Sequence, residues 1–287
     1  MNVYEMVAES FIKEMENGKI PWKQPWFGTR LAVDHIKGKP YSLLNQLLLG
    51  EPGEYLTFNQ VKKEGGSVKK GAKAKFVVFW KFLKVETDLE DENGKKIFKE
   101  VPFLRYYNVF HINQTEGIKE KHPQGAKESN LTPDETAQAL FDEYITRERI
   151  TVHKDRDNAY YRPTDDSIGL PDIKRFTDIS EYYSTAFHEA IHSTGAKSRL
   201  DRLESTHFGS DAYSKEELVA EIGSSMLLNM VGMNTEESFK NNVAYVQNWL
   251  SHLKDDVKLI VGAASKAEKA VQFLKGEKES TLATEVA

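Results

Sequence analysis

The chain has 287 residues, of which 39% are hydrophobic and 29% charged, and its formal net charge is −5. This length and apolar content allow two modest cores, and the mild negative charge argues against a protein that simply coats DNA. The absence of cysteine excludes disulfides and cysteine-based zinc modules, so a bound metal would have to be held by histidines and carboxylates.

The N-terminus predicts an amphipathic helix rather than a targeting segment. Apolar residues recur at helical intervals from Val3 to Met15, and Asn17-Gly18 ends the pattern. The chain shows no signal peptide and no apolar run approaching ~18 residues. It also lacks a nucleotide-binding glycine loop, a serine nucleophile elbow and internal repeats. We therefore expect a soluble, cytoplasmic protein that does not bind membranes.

Lysines and aromatic residues are concentrated in the next part of the chain. Residues 62–84 contain eight lysines and one acidic residue, Glu64, for a net charge of +7. A basic patch beside exposed rings is typical of single-stranded DNA binding, because phosphates pair with lysines and unstacked bases with rings. The alternative is that the rings belong to the core and the lysines to a solvated surface. The DNA-binding candidates are Trp22, Trp26, Tyr41, Lys69, Lys70 and Lys73.

The middle of the chain predicts a hairpin followed by a linker. The β-rich runs 77–82 and 101–106 flank a charged turn at 91–94. Residues 114–130 are rich in charge and contain Pro123 and Gly125, which predicts the linker. The charge changes sign there, from +4 over residues 1–125 to −9 over residues 126–287. Residues 1–125 and 126–287 are our two predicted domains. Their mixture of predicted helices and strands indicates an α+β fold.

The second half begins with a predicted helix from Thr132 to Arg147, with Thr132 as N-cap and Pro133 in the first turn. Three short β-rich runs follow, at 150–153, 159–162 and 166–171. Because Pro171 closes the last run, we expect it to be an edge strand.

The sequence His188-Glu189-Ala190-Ile191-His192 is the most informative motif of the chain. It lies in a predicted helix that begins near Asp178 and ends at Gly195. Two histidines four residues apart share one helix face and can bind one divalent cation, with the intervening glutamate as a general base. The alternative is a helix whose histidines only pack or cap, but such a helix would not need Glu189.

The third ligand is expected on a second helix, predicted over residues 214–233, where Ser214 and Glu217 have capping-box spacing. Glu217 and Glu221 are four residues apart and share a face, which could also be an ordinary solvated stripe. Beside an HExxH motif, however, the pair resembles the gluzincin pattern, in which the first acid binds metal and the second orients a ligand histidine. We therefore predict Glu217 as the third ligand and Glu221 as the acid that orients a ligand histidine. The reverse assignment and Glu216 stay open.

These residues predict metal-dependent hydrolysis, most naturally of peptides. The bound cation activates a water molecule, and Glu189 accepts its proton as the general base. Tyr213 and His207, both just ahead of the second predicted helix, are candidates for stabilising the oxyanion. Zn²⁺ is the expected cofactor, with Mn²⁺ or Co²⁺ possible at a site of nitrogen and oxygen ligands.

The run HEAIHSTGAKSRLDR followed by YSKEELVAE resembles the metallopeptidase domain of ArdC-type antirestriction proteins of conjugative plasmids and other mobile elements. The resemblance implies a zincin-like fold with metal ligands at His188, His192 and Glu217. Residues 21–26, 40–45, 55–60 and 66–74 resemble successive blocks of the single-stranded-DNA-binding domain of the same family. The second block contains Tyr41 and Asn45, and the resemblance adds Asn45 to the DNA-binding candidates. That block departs from the family at 42–44, where a glycine is common.

Two functions follow from the resemblance. In one, the protein coats incoming single-stranded DNA against host restriction, and its metal site has only a structural or accessory role. In the other, it is a DNA-associated metallopeptidase that cleaves a host defence or replication protein. Glu189 favours the second, because a structural metal site needs no base between its histidines.

Overall fold

The computed structural model describes residues 2–17, 20–23, 31–90, 92, 95–123, 132–155, 158–176, 178–203, 211–233 and 243–277. The first helix, α1 (Val3–Glu16), begins with a capping box in which Asn2 and Glu5 bond to each other's backbone N–H. It buries Val7, Phe11 and Met15 along one side. The helix predicted from the spacing of these apolar residues is confirmed.

The N-terminal half is built around a four-stranded sheet with the strand order β1-β2-β5-β4. β1 and β2 are parallel, and the other neighbours are antiparallel. The elements of this half after α1 are β1 (Ala32–Asp34), α2 (Leu43–Leu49), β2 (Gly53–Leu56), α3 (Phe58–Lys63), β3 (Ser67–Val68), β4 (Lys75–Glu90), β5 (Lys96–His111) and β6 (Thr115–Glu116).

The predicted hairpin is confirmed, and it is much longer than the two runs that indicated it. β4 and β5 are 16 residues each and pair from Lys75↔Val109 outward to Glu90↔Lys96. Only the inner part of the hairpin is covered by other elements: Val78 and Leu104 join the main core, whereas Val77 and Val109 join a smaller one. The outer part forms a two-stranded ribbon.

The segment predicted as a linker belongs in part to the N-terminal fold, so that prediction is wrong for its first residues. β6 pairs with β3. Beyond it, the buried carboxylate of Glu54 accepts hydrogen bonds from the backbone N–H groups of Lys121 and His122 and from the ring of buried His35. A charged sequence is therefore held to the sheet by one buried acceptor that the local pattern does not reveal.

The second half contains a three-stranded sheet and five helices within its described ranges. Its elements are α4 (Pro133–Glu148), β7 (Thr151–Asp155), β8 (Tyr160–Arg162), β9 (Ser167–Pro171), α5 (Ile179–Thr194), α6 (Asp211–Met230), α7 (Val243–Asp255) and α8 (Leu259–Leu274). The capping box of Thr132 and Glu135 begins α4 as predicted.

The strand β9 lies in the centre of its sheet, between β7 and β8, so the prediction of an edge strand is wrong. Pro171 is tolerated because it is the last residue of the strand, where a missing N–H interrupts no further pairing. The other four residues of β9 are buried, which agrees with a central strand.

The helices α7 and α8, which the sequence did not predict, pack the two halves of the chain together. α7 lies against α1, and α8 lies against α2, α5 and α6. One continuous core consequently contains Phe11 and Trp22 as well as Phe187, Trp249 and Leu253. No helix in the described part of the chain is both long and apolar enough to cross a membrane.

Candidate metal centre

The histidines of the HExxH motif lie on the partly exposed side of α5. Asp178 caps the helix by accepting from the N–H of Ser180, and the opposite side buries Phe187 and Ile191. The rings of His188 and His192 are 4.7 Å apart, and their Nε2 atoms are 3.1 Å apart. Helical spacing thus places two nitrogen lone pairs at one point, as the motif predicts.

Glu217 of α6 completes a group of three. Its Oε2 lies 3.4 Å from Nε2 of His188, and its Oε1 lies 3.5 Å from Nε2 of His192. The close approach of α5 and α6 depends on Gly223, where an added Cβ would lie 2.9 Å from Ile191. A larger residue at this position would push the helices apart and withdraw Glu217 from the histidines.

The donor set fits a tetrahedral divalent cation. The ligand atoms of His188, His192 and Glu217 all lie within 4.8 Å of one another. Metal–ligand bonds of about 2.0–2.1 Å in a tetrahedron require ligand atoms about 3.3–3.4 Å apart. The 3.1 Å between the two Nε2 atoms is close to that requirement. One carboxylate oxygen of Glu217 lies 3.4 Å from Nε2 of His188 and the other lies 3.5 Å from Nε2 of His192, so the carboxylate faces both nitrogens. All three side chains are partly accessible to solvent, which leaves room for a fourth ligand.

Glu189 projects from the same helix into a more buried environment, where it is only 8% exposed. Burial raises the pKa of its carboxyl, while the nearby His188 and His192 and the backbone N–H of Tyr161 in β8 oppose the rise. A carboxylate with a raised pKa is a better proton acceptor at neutral pH. Its position between the two histidines fits the predicted general base.

Glu216, which the sequence analysis left open as an alternative, lies beside His192. Its Oε1 lies 3.3 Å from Nδ1 of His192, and Arg202 donates to both of its oxygens over 2.8 Å. Glu216 therefore lies at the second ring nitrogen of His192, because α6 presents the residue preceding Glu217 to that side. The role predicted for Glu221 at a ligand histidine remains a prediction.

Charge within this cluster is balanced over five residues, two histidines, one arginine and two glutamates. Burial by itself lowers the pKa of His192, but Glu216 and Glu217 outweigh it and raise that pKa to about 9. Conversely, burial opposes ionisation of both glutamates, yet His192 and Arg202 lower the pKa of Glu216, and the two histidines lower that of Glu217. Glu216 and Glu217 are accordingly carboxylates, as ligands and their supports must be.

A second arginine fixes the end of α5. The buried guanidinium of Arg199 donates to both oxygens of Asp166 over 2.9 and 2.6 Å, and also to Glu148 and to the carbonyl of Ser193. Asp166 has a positive φ of 49° in the turn between β8 and β9. The motif Arg199-Leu200-x-Arg202 is visible in the sequence, but its two contacts depend on how the chain folds back after Gly195.

Two of the predicted site residues, Trp26 and His207, lie outside the described residues. Tyr213 lies in the first turn of α6, which begins at Asp211 rather than near Ser214. Its side chain is not described, so its role stays a prediction.

Trp22 is not a DNA-stacking residue in this structure. It is 1% exposed, stacked on Phe11 and in edge contact with Trp249. Trp249 belongs to α7, and the local proline-bounded sequence around Trp22 gives no sign of this contact.

Asn45 is also buried, and its amide forms two 2.8 Å hydrogen bonds with the backbone of Val78. Because both amide groups are used within the fold, its predicted DNA contact is wrong. Tyr41 is half-buried against Tyr55 and Tyr107, and burial raises its pKa. Among the DNA-binding candidates that the structure describes, only Lys69, Lys70 and Lys73 are exposed. They lie just before β4, and Lys69 donates to the carbonyl of Asn113.

The chain is similar to known proteins over nearly its whole length. A model of the N-terminal domain of the anti-restriction factor ArdC matches residues 1–110, and a model of a zincin-like metallopeptidase matches residues 139–266. The metal-free crystal structure of the antirestriction protein ArdC from plasmid R388 is 34% identical, covers 96% of this chain and 97% of its own, and has a TM-score of 0.69. This chain belongs to the ArdC family of antirestriction proteins.

The Mn(II)-bound structure of the same plasmid ArdC is 33% identical, covers 96% of this chain and 98% of its own, and has a TM-score of 0.72. Two proteins of Escherichia coli called DNA primase TraC are 32% and 33% identical over 94% of this chain. This ArdC family chain spans only 27% and 20% of their lengths. The α+β fold and the zincin-like metallopeptidase domain predicted from the sequence are confirmed.

Proposed function

We propose that this ArdC family chain is a metal-dependent peptidase that associates with single-stranded DNA and protects incoming DNA from host restriction. The observation that carries the proposal is the convergence of His188, His192 and Glu217 within 4.8 Å, beside the buried carboxylate of Glu189. A purely structural cation would not need a buried acid between its two histidine ligands.

In this proposal each residue has a separate task. His188, His192 and Glu217 hold the cation, which we propose to be Zn²⁺, with Mn²⁺ or Co²⁺ as substitutes. The cation supplies positive charge that activates water and polarises a substrate carbonyl. Glu189 accepts a proton from the attacking water and returns it to the leaving amine. Glu216, fixed by Arg202, keeps the ring of His192 in place.

We assign DNA association to residues 1–125 and the peptidase to residues 126–287. The positive charge of the first range and the exposed Lys69, Lys70 and Lys73 support this division. The ranges matched by the two family models also fall within it. The proposed partners are therefore single-stranded DNA and a protein of host defence as the peptidase substrate.

The proposal is tested by Glu189→Gln, with Glu181→Gln in the first turn of the same helix as control. We expect Glu189→Gln to retain its cation and its affinity for single-stranded DNA but to lose peptide cleavage by about 10²–10⁴-fold, since only the proton acceptor is removed. Protection of transferred DNA in cells should fall with it. Full protection by Glu189→Gln would show instead that coating of DNA suffices.

A further inference from the structure

The outer part of the β4–β5 ribbon exposes an unusual amount of apolar surface. Phe82 is 43% exposed, Phe98 56% and Phe103 49%, together with several aliphatic residues of both strands. Contiguous exposed apolar surface on a folded protein commonly marks an interaction site. The ribbon is therefore a candidate binding surface, and the charges of its side chains indicate which kind of partner it would bind.

The two faces of this ribbon differ in charge. Cross-strand partners share a face, and successive residues of a strand alternate between faces. The basic face consists of the pairs Phe79↔Arg105, Lys81↔Phe103, Leu83↔Val101 and Val85↔Lys99. The mixed face consists of the pairs Trp80↔Leu104, Phe82↔Pro102, Lys84↔Glu100 and Glu86↔Phe98. The basic face thus has three cations and no carboxylate, whereas the mixed face has one cation and two carboxylates.

Aromatic rings lie next to the cations of the basic face. The guanidinium of Arg105 lies 5.8 Å from the ring centre of Phe103, and the rings of Phe79 and Tyr107 are 5.5 Å apart. An open depression of about 560 Å³ lies at the inner end of the ribbon and is lined by these four residues together with Leu104, Tyr106 and Val3 of α1.

We propose that the basic face of the ribbon binds single-stranded DNA. Bases stack on Phe103 and at the Phe79–Tyr107 end, while Lys81, Lys99 and Arg105 pair with phosphates. Rings can offer stacking only to bases that are not already stacked in a duplex, which favours a single strand. This proposal rests on the DNA association proposed above. It adds a specific surface, which is separate from Lys69, Lys70 and Lys73.

The test compares two double variants of the full-length protein that remove the same residue types from opposite faces. Lys81→Ala with Phe103→Ala removes one cross-strand pair of the basic face, and Lys84→Ala with Phe98→Ala is the matched control on the mixed face. Binding of a fluorescein-labelled oligothymidine is measured by anisotropy at several salt concentrations. We expect the first variant to bind at least about tenfold more weakly, with a salt slope reduced by about 0.7, and the control to stay within about twofold.

A third variant, Lys99→Ala with Arg105→Ala, provides the same comparison if the first does not fold, as judged by circular dichroism. Equal affinities of parent and basic-face variants would overturn the ribbon site and leave the proposed DNA association standing. Equal losses on both faces, or tighter binding of the duplex than of the single strand, would also overturn the ribbon site. Failure of the parent protein to bind the oligonucleotide would overturn both proposals.

Discussion

Glu216 gives His192 a second partner and is itself held by the two-pronged contact with Arg202. A carboxylate on the far nitrogen of a ligand histidine fixes the ring and increases its basicity. Removing the negative charge without changing the shape should therefore weaken cation binding while the fold persists.

We expect Glu216→Gln to lower Zn²⁺ affinity by about 10–100-fold, measured by competition with a chelator. Glu181→Gln, in α5 but remote from His192, is the control and should bind as the parent does. If Glu216→Gln lowers the thermal stability of the metal-free protein but leaves Zn²⁺ affinity unchanged, Glu216 is only a packing residue.

The individual residues of the HExxH motif could be predicted from the sequence because their geometry is local to one helix. His188, Glu189 and His192 need only α5 to be a helix, and Asp178 and Gly195 mark its ends. The predicted third ligand needs a relation between two helices, for which the gluzincin pattern indicated Glu217. The same pattern indicated Glu221 as the residue that orients a ligand histidine. That Glu216 lies beside His192 depends on the rotation of α6 against α5, which the sequence does not give.

The helix α2 shows how one element relies on another. Its own N-cap residue, Ser42, makes no side-chain cap, and the first N–H of the helix, that of Leu43, donates instead to Glu268 of α8 over 3.1 Å. Burial raises the pKa of Glu268, and the hydrogen bond from Leu43 opposes the rise. Glu268, whose carboxyl is partly desolvated, thus caps α2 of the N-terminal half of the chain.

A raised pKa means that the folded protein binds the proton of Glu268 more tightly than the unfolded chain. The stabilising contribution of the protonated form is fully present below the unfolded pKa of about 4.3 and is lost as the pH rises through the folded value. Glu268→Gln keeps an acceptor for Leu43 without the charge. We expect its Tm to exceed that of the parent by a few degrees at pH 7 and to match it below about pH 4.

Thermal unfolding at both pH values checks this expectation. Glu268→Ala serves as the comparison, because it leaves the N–H of Leu43 without this acceptor and should be less stable than the parent at either pH. A lower Tm for Glu268→Gln than for the parent at pH 7 would show that the negative charge itself stabilises α2.

The two halves of the molecule share one core, which the sequence did not indicate. Residues 1–125 and 126–287 differ in charge and match separate family models, yet Trp22 packs against Phe11 of α1 and Trp249 of α7. The interior position of Trp22 depends on a helix more than 200 residues later in the chain, so local sequence could not predict it. For the same reason α7 and α8 went unnoticed as structural elements.

We expect Trp22→Ala to destabilise the whole protein by about 3–5 kcal/mol, since it leaves a large cavity between the halves. Trp22→Phe should cost less, because it retains a ring and removes an indole N–H that has no hydrogen-bond partner among the described residues. Urea unfolding should show one transition for the parent. At a temperature at which both variants are folded, they should bind oligothymidine as the parent does. If Trp22→Phe lost DNA affinity while remaining folded, the interior role of Trp22 would be contradicted.

The proposed cation site depends most directly on which acid of α6 completes it. Calorimetric titration of the metal-free protein with Zn²⁺ should give one site per chain, with Glu217→Gln weakening binding by more than about 100-fold and Glu221→Gln by less than that. No binding to the parent protein, or a greater loss for Glu221→Gln than for Glu217→Gln, would contradict the assignment of His188, His192 and Glu217.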